Sequence, residues 1–351
     1  MNVLTRHISD FFEHWAPNAT KQDYDNTGLL IGNPNQPVTG ILCCLDVTAD
    51  VIDEAAARNC QLICAHHPLI FPKLKRVVTT DETGALIHSL IRNNISVIAA
   101  HTNLDAARDG VSFALAQTLE LTDISMLDDS YKTMKRVIFR FPAALKPEVS
   151  AAIRNVDLDC GWSEEEMNIS VARFNADVYV LNELRSRLLQ ILDGAPHSFD
   201  IVALESSSPL YGFGALGKTT SPMTQQAFLD HVAAKLGSSG LRFSGEADAI
   251  KKVAVCGGSG SFLIRKAQQS GAQAFITADI KYHDFFVPKG FLLIDAGHYE
   301  TEAPIIAAMQ QKLASAFPDV QVISTSVCTN PMQGWPAKSG NTVSVNPHTT
   351  L

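Results

Sequence analysis

Short apolar runs alternate along this chain with segments whose apolar positions recur every three to four residues. "TGILCCLDV" (39–47), "QLICA" (61–65) and "SVIAA" (96–100) are near-continuous apolar stretches, the pattern of strands buried on both faces. Between and after them, "ADVIDEAAARN" (49–59), "GALIHSLIRNN" (84–94) and "GVSFALAQTLEL" (110–121) carry a helical stripe. The alternation predicts a parallel sheet covered by helices on both sides. The same order returns late in the chain, with strands at 251–257, 272–278, 291–297 and 320–325 and helices at 261–271 and 301–317. "LICAHHPL" and "FITADIKYHD" are faintly alike, so the two stretches read as a diverged repeat.

The texture changes between them. "KRVIFRFP" (135–142), "KPEVSAAIRNV" (146–156), "NISVARFNADV" (168–178), "LNELRSRLLQILDG" (181–194) and "SFDIVALES" (198–206) read as β-α-β-α-β. The strands alternate polar and apolar residues, as an antiparallel sheet with one wet face requires. A small ferredoxin-like α+β unit at 130–209 is therefore expected, inserted into a Rossmann-like α/β domain made of residues 1–129 and 210–351.

Composition narrows the class. The 351 residues are 46% hydrophobic and 18% charged, values of a globular chain with room for more than one core. The net charge of −8, with no Lys/Arg block, argues against direct nucleic-acid binding. No run approaches the roughly 18 apolar residues of a membrane span, and "MNVLTRHISDFFEHWAP" reads as an amphipathic helix rather than a signal peptide. Seven cysteines scattered through apolar stretches form no disulfide framework, which suits a cytoplasmic location.

Three clusters able to do chemistry lie just beyond the carboxyl ends of predicted strands, where open α/β sheets bind their ligands. They are His66 and His67 after "QLICA", His101 and Asp105 in "HTNLD", and His298 and Glu302 in "HYETE". The last two pairs are spaced i, i+4 and share a face on a helical turn. Four imidazoles and two carboxylates exceed one tetrahedral site and suit two divalent ions, about 3.5–4 Å apart, that activate water. Imidazole-rich sites take Zn, Fe, Mn or Ni, so the donor set leaves the metal open.

Other features read more plainly. His283 follows another strand end beside Asp279 and Asp284, a place for outer support of a ligand or for a proton shuttle. His7, His14, His88, His197, His231 and His348 read as ordinary core or surface residues. "CGGSGS" (256–261) joins a strand to a helix but lacks a Walker lysine, so it reads as a phosphate loop or as a tight turn. Asp25, Asn26 and Thr27 sit in a Gly-bounded turn of the kind Asx residues build. The cations nearest the motifs, Lys73, Lys75, Arg76 and Lys281, form no obvious triphosphate clamp.

Taken together, "YDNTGLLIG", "AHHPLIF", "AAHTNLDAA", "CGGSGS", "ITADIKYHDF" and "IDAGHYETE" resemble the Nif-three-like family, whose bacterial members carry the name GTP cyclohydrolase I type 2 homologue. The likeness covers about 1–128 and 210–345, and the middle segment resembles the PII/CutA-like insert of the longer members. It implies a dinuclear metal site with His66, His67, Asp105, His298 and Glu302 as ligands, Glu302 bridging and His101 at the site. It also implies a toroidal homohexamer with metal sites facing an internal cavity. The implied chemistry is hydrolysis of a purine nucleotide or other small phosphorylated compound, with His101 or His283 moving protons. The alternative is a metal-handling or regulatory protein using the same two ions.

Overall fold

The apolar runs do become strands, but of two sheets rather than one. The structure, a computed structural model, describes residues 2–333 apart from 129, 155, 157–159 and 239, so His348 and the outer boundary of the last segment lie outside the described residues. The first part of the chain gives β1 (Gly28–Ile31), β2 (Gly40–Cys44), β3 (Leu62–Ala65), β4 (Ser96–Ala99) and β5 (Thr122–Met126). The middle gives β6 (Met134–Pro142), β7 (Gly161–Glu165), β8 (Ile169–Asp177) and β9 (Ser198–Ala203). The rest gives β10 (Ala215–Met223), β11 (Arg242–Ser244), β12 (Ile250–Ser259), β13 (Ala274–Ala278), β14 (Leu292–Asp295) and β15 (Gln321–Ser324).

The first sheet has the order β1-β4-β3-β2-β15, and only β1 is antiparallel to its neighbour. Every residue of β2, β3 and β4 is buried, which is why these strands are continuous apolar runs. The second sheet has the order β11-β14-β13-β12-β10-β5, with β12, β13 and β14 parallel and the flanking strands antiparallel. Each sheet borrows one strand across the chain: β15 returns to β2, and β5 pairs with β10.

Helices lock the two sheets together. Helix Pro304–Ala316 follows the second sheet in sequence, yet its Ile305, Met309 and Leu313 pack with Ile41, Cys43 and Leu62 of the first. Helix Val111–Thr118 follows the first sheet and places Phe113, Leu115 and Ala116 in the core of the second. The carboxyl ends of β3 and β4 are thereby brought against those of β13 and β14.

The segment from 134 to 203 folds on its own antiparallel sheet, ordered β7-β8-β6-β9, with a core of Val137, Phe139, Phe141, Phe174, Leu184 and Leu188. Its chain order is β-α-β-β-α-β. The sequence pattern missed β7, whose largely exposed residues Gly161–Glu165 carry almost no apolar signal. Cys43, Cys44, Cys60, Cys64 and Cys256 are buried free thiols. Among the described residues, no helix is long and apolar enough to cross a membrane.

Candidate metal centre

Each ligand-bearing segment begins where a parallel strand ends. β3 runs into His66 and His67, whose backbone N–H groups still donate to Cys44 and Leu45. β4 runs through His101 into the five-residue helix Thr102–Ala106, which carries Asp105. β14 runs through Gly297 into the five-residue helix His298–Glu302. The two short helices occupy matching places in the two halves of the chain, consistent with a diverged repeat. Neighbouring side chains on a strand would diverge, but the strand stops at Ala65, and the His66 and His67 rings lie 4.9 Å apart.

The donors converge on Glu302, which is buried. His298 Nε2 lies 3.1 Å from its Oε1 and His67 Nε2 lies 3.0 Å from its Oε2. His66 Nε2 is 3.8 Å from Glu302 Oε1 and 3.6 Å from Asp105 Oδ1, too far to hydrogen-bond. The ring of His101 sits 5.3 Å from that of His66 and 5.4 Å from that of His67. Three overlapping donor sets result: His67, His298 and Glu302; His66, Asp105 and Glu302; and His66, His67 and His101. His66 Nε2, Asp105 Oδ1 and Glu302 Oε2 are buried with no hydrogen-bond partner. Burying such atoms unpaired costs about 1–3 kcal/mol each or more, and a shared cation is what would satisfy all three.

A second layer fixes the rings. His67 Nδ1 donates to Asp46 at 2.7 Å, His101 Nδ1 to Asp25 at 2.9 Å and His298 Nδ1 to Asp279 at 2.6 Å. His66 Nδ1 donates to the Ala100 carbonyl at 2.8 Å. With Nδ1 donating in every case, Nε2 is the nitrogen each ring presents to the centre, the arrangement that orients metal-binding histidines. Asp46 also accepts from the Thr329 hydroxyl, and Asp25 from the backbone N–H and hydroxyl of Thr102. Asp279 holds its position at a φ of +54°, a left-handed conformation that aspartate tolerates better than most residues.

The electrostatics follow from this crowding. Burial works to lower the His67 imidazole, but Asp46 and Glu302 on either side push it up to about 10. Glu302, with Asp279 adding and burial opposing, pushes His298 up to about 9. The fully buried His66 is lowered, because burial outweighs the pull of Glu302. Burial and the Glu302 charge raise Asp105 well above the usual carboxylate range. Glu302 is held well below that range, burial being outweighed by His298, His66 and His67. For Asp25, too, burial acts upward, and the hydrogen bonds from His101 and Thr102 overcome it to leave the carboxyl low.

"CGGSGS" lies against this centre. It ends β12 and runs beneath the carboxylate: a Cβ on Gly258 would lie 2.1 Å from Glu302 Oε1 and 3.3 Å from His298 Nε2. Gly258 donates its N–H to Thr301 and accepts from the Thr277 hydroxyl, so its backbone is pinned there. A cleft of about 300 Å³ opens over the site, walled by Tyr24, Phe213 and Phe262 as well as by His101, Asp105, His298 and Glu302.

Six of the seven sequence-selected residues, His66, His67, His101, Asp105, His298 and Glu302, meet in these donor sets. His283 does not: it is exposed in the turn Tyr282–Phe285, its ring packed edge-on against Tyr282. The support for His298 comes from Asp279 instead. Arg76 is engaged by Asp81, and neither it nor Lys73, Lys75 or Lys281 walls the cleft. Sequence reasoning missed Asp46 altogether and read Asp25 as a turn former only. The signal for Asp46 was the one used for the histidines, a polar residue one or two positions past a buried strand end.

The chain is similar to known proteins over most of its length. The family model described as Duf34/NIF3 (NGG1p interacting factor 3) matches residues 3–331. A Staphylococcus epidermidis protein named GTP cyclohydrolase 1 type 2 homolog is 35% identical over 332 residues, covering 85% of this chain and 88% of that protein. A Bacillus subtilis protein of the same name is 31% identical over 367 residues, covering 94% and 98%. Among solved structures, a Bacillus cereus protein related to NIF3 superposes with a TM-score of 0.81 at 28% identity, over 95% of this chain and all of that one. A match that spans both sheets, the segment between them and all six convergent donors places the chain in the Duf34/NIF3 family.

Proposed function

We propose that this chain holds two divalent metal ions and uses them to hydrolyse a small substrate. The observation that carries the reading is the pair of donor sets sharing Glu302, with His66 Nε2 and Asp105 Oδ1 buried and without a hydrogen bond. His67, His298 and Glu302 would hold one ion, and His66, Asp105 and Glu302 the other. Bound divalent ions polarise a substrate and lower the pKa of water from about 15.7 towards 7. The protein supplies the rest. Asp46, Asp279 and the Ala100 carbonyl hold three rings in the ligating tautomer, and the glycine backbone at 257–258 leaves room for the shared carboxylate. His101, backed by Asp25 and walling the cleft, is placed to take a proton from attacking water and return it to a leaving nitrogen.

The relatives' name makes GTP the first substrate to test: one water would add at C8 of guanine and open the imidazole ring to a formamide, and a second water would hydrolyse that formamide to release formate. In the same reading residues 130–209 are the PII/CutA-like insert between 1–129 and 210–351, supported by the β-α-β-β-α-β order. The assembly is a toroidal homohexamer in the cytoplasm, as the family resemblance implies. A metal-handling role is the second reading, favoured by one observation: none of the described residues walling the cleft is Lys or Arg.

Formate release from GTP, measured on protein reconstituted separately with Zn, Mn, Fe and Ni, separates these. Turnover that needs about two ions per chain and disappears in Glu302→Ala supports the hydrolase. Two tightly held ions with no formate from any metal form removes GTP ring opening and leaves metal handling.

A further inference from the structure

The cleft over the metal donors has walls whose chemistry selects its occupant. Tyr24, which lines it, meets Phe71 edge-on with ring centres 6.2 Å apart, and Phe71 meets His101 at 6.0 Å. Phe213 and Phe262, which also line it, form a second edge-on pair at 5.6 Å. Tyr24 is 67% exposed and Phe262 63% exposed, although both wall the same cavity of about 300 Å³. Large aromatic rings held this far into water forgo their burial energy, and exposed aromatic rings lining a site are the usual platform for a flat ring. The volume is at the small end of small-molecule sites, enough for one ring system and little else.

Charge points the same way. Asp105 and Glu302 line the cleft, Asp25, Asp46 and Asp279 stand behind His101, His67 and His298, and none of the described residues that wall the cleft is Lys or Arg. Two divalent ions would offset four of those five carboxylates, leaving no positive surplus for a polyphosphate. Gln22 and Ser259 supply neutral hydrogen-bonding groups at the rim.

We infer that the cleft recognises a planar, uncharged heteroaromatic ring, stacked between Tyr24 and Phe262 above the donor sets, and that it does not recognise a triphosphate. This rests on the cleft being the substrate site of the proposed hydrolase. The ring is read by aromatic faces and by Gln22 and Ser259, and any phosphate tail projects into solvent.

The test uses equilibrium dialysis with guanosine, GTP and inorganic tripolyphosphate as probes, on full-length zinc-loaded protein whose metal content is counted in the same samples. Guanosine and GTP are expected to bind within about tenfold of each other, and tripolyphosphate to leave bound guanosine in place. Tyr24→Leu and Phe262→Leu should each weaken guanosine by roughly 5- to 100-fold, the range for loss of one stacking partner, with unchanged metal content. Tyr24→Trp and Phe262→Tyr, which keep a flat ring, should bind within a few-fold of the original chain. Displacement of guanosine by tripolyphosphate, no guanosine binding, or unchanged binding in the leucine variants overturns the inference. Guanosine held by the aromatic pair on protein that releases no formate upholds it and removes only the hydrolase reading. Formate release with unaltered guanosine binding in the leucine variants does the reverse.

Discussion

Gly258→Ala separates the cost of backbone strain from the cost of a displaced ligand. Gly258 has a φ of +60°, where an L-residue costs roughly 1–2 kcal/mol. Its backbone cannot drift to relieve the new methyl, because its N–H is bonded to Thr301 at 3.0 Å and its carbonyl accepts from Thr277 at 2.8 Å. The added Cβ would stand 2.1 Å from Glu302 Oε1, an overlap that something must relieve. Glu302 is the end of a flexible side chain, so the carboxylate swings aside and the fold survives. Stability of the metal-free protein should therefore fall by only about 1–2 kcal/mol, read from urea unfolding. Metal binding should suffer far more, since both proposed ions share that carboxylate. Losing an outer-layer partner alone costs about 10- to 100-fold in affinity, and moving the shared ligand should cost at least the top of that range. Metal counted after dialysis should drop from two ions per chain to one or none. Two ions held with unchanged affinity in Gly258→Ala would refute the reasoning.

Three further outcomes are expected. Asp46→Asn removes the charge behind His67 and should weaken zinc affinity about 10- to 100-fold in chelator competition, with secondary structure unchanged; an unaltered affinity would deny Asp46 its role. In the metal-free protein His67 and His298, pushed up to about 10 and about 9, both carry protons at pH 7 and must lose them to ligate. Zinc binding should thus release protons near pH 7, affinity should rise with pH through this window, and release from these two groups should fade above about pH 10. Calorimetry in buffers of different ionisation enthalpy reads this, and a pH-independent binding constant would contradict it. Phe139→Ala, at a fully buried ring stacked 4.3 Å from Phe199 and 4.8 Å from Phe141, should cost about 3–5 kcal/mol in the 134–203 sheet. Metal content should stay at two ions per chain, because no donor comes from that sheet.

What the sequence made legible was whatever depended on local pattern. β2, β3, β4, β13 and β14 are buried throughout, so their apolar runs stood out within three residues of their observed ends. The i, i+4 spacings of His101 with Asp105 and His298 with Glu302 anticipated the two short helices that carry them. Partner choice between strands was not legible. β15 looks like a continuation of the late strands, but it pairs with Cys43 and its neighbours on β2, a contact no local pattern encodes. Edge strands such as β1, β7 and β11 are short and half exposed, and their weak signal was lost among turns. Asp25 was read as a turn residue because its bond to His101 spans 76 positions of sequence. His283 is the opposite case: a histidine just past a strand end satisfied the rule, but it lies exposed in the turn Tyr282–Phe285, apart from the donor sets.

The most direct test of the central claim is anomalous diffraction from crystals of the full chain grown with zinc. Two peaks per chain are expected, one beside His67 and His298 and one beside His66 and Asp105, with the Glu302 carboxylate between them. A single peak, or peaks that leave Glu302 without a metal contact, would contradict the shared-carboxylate centre.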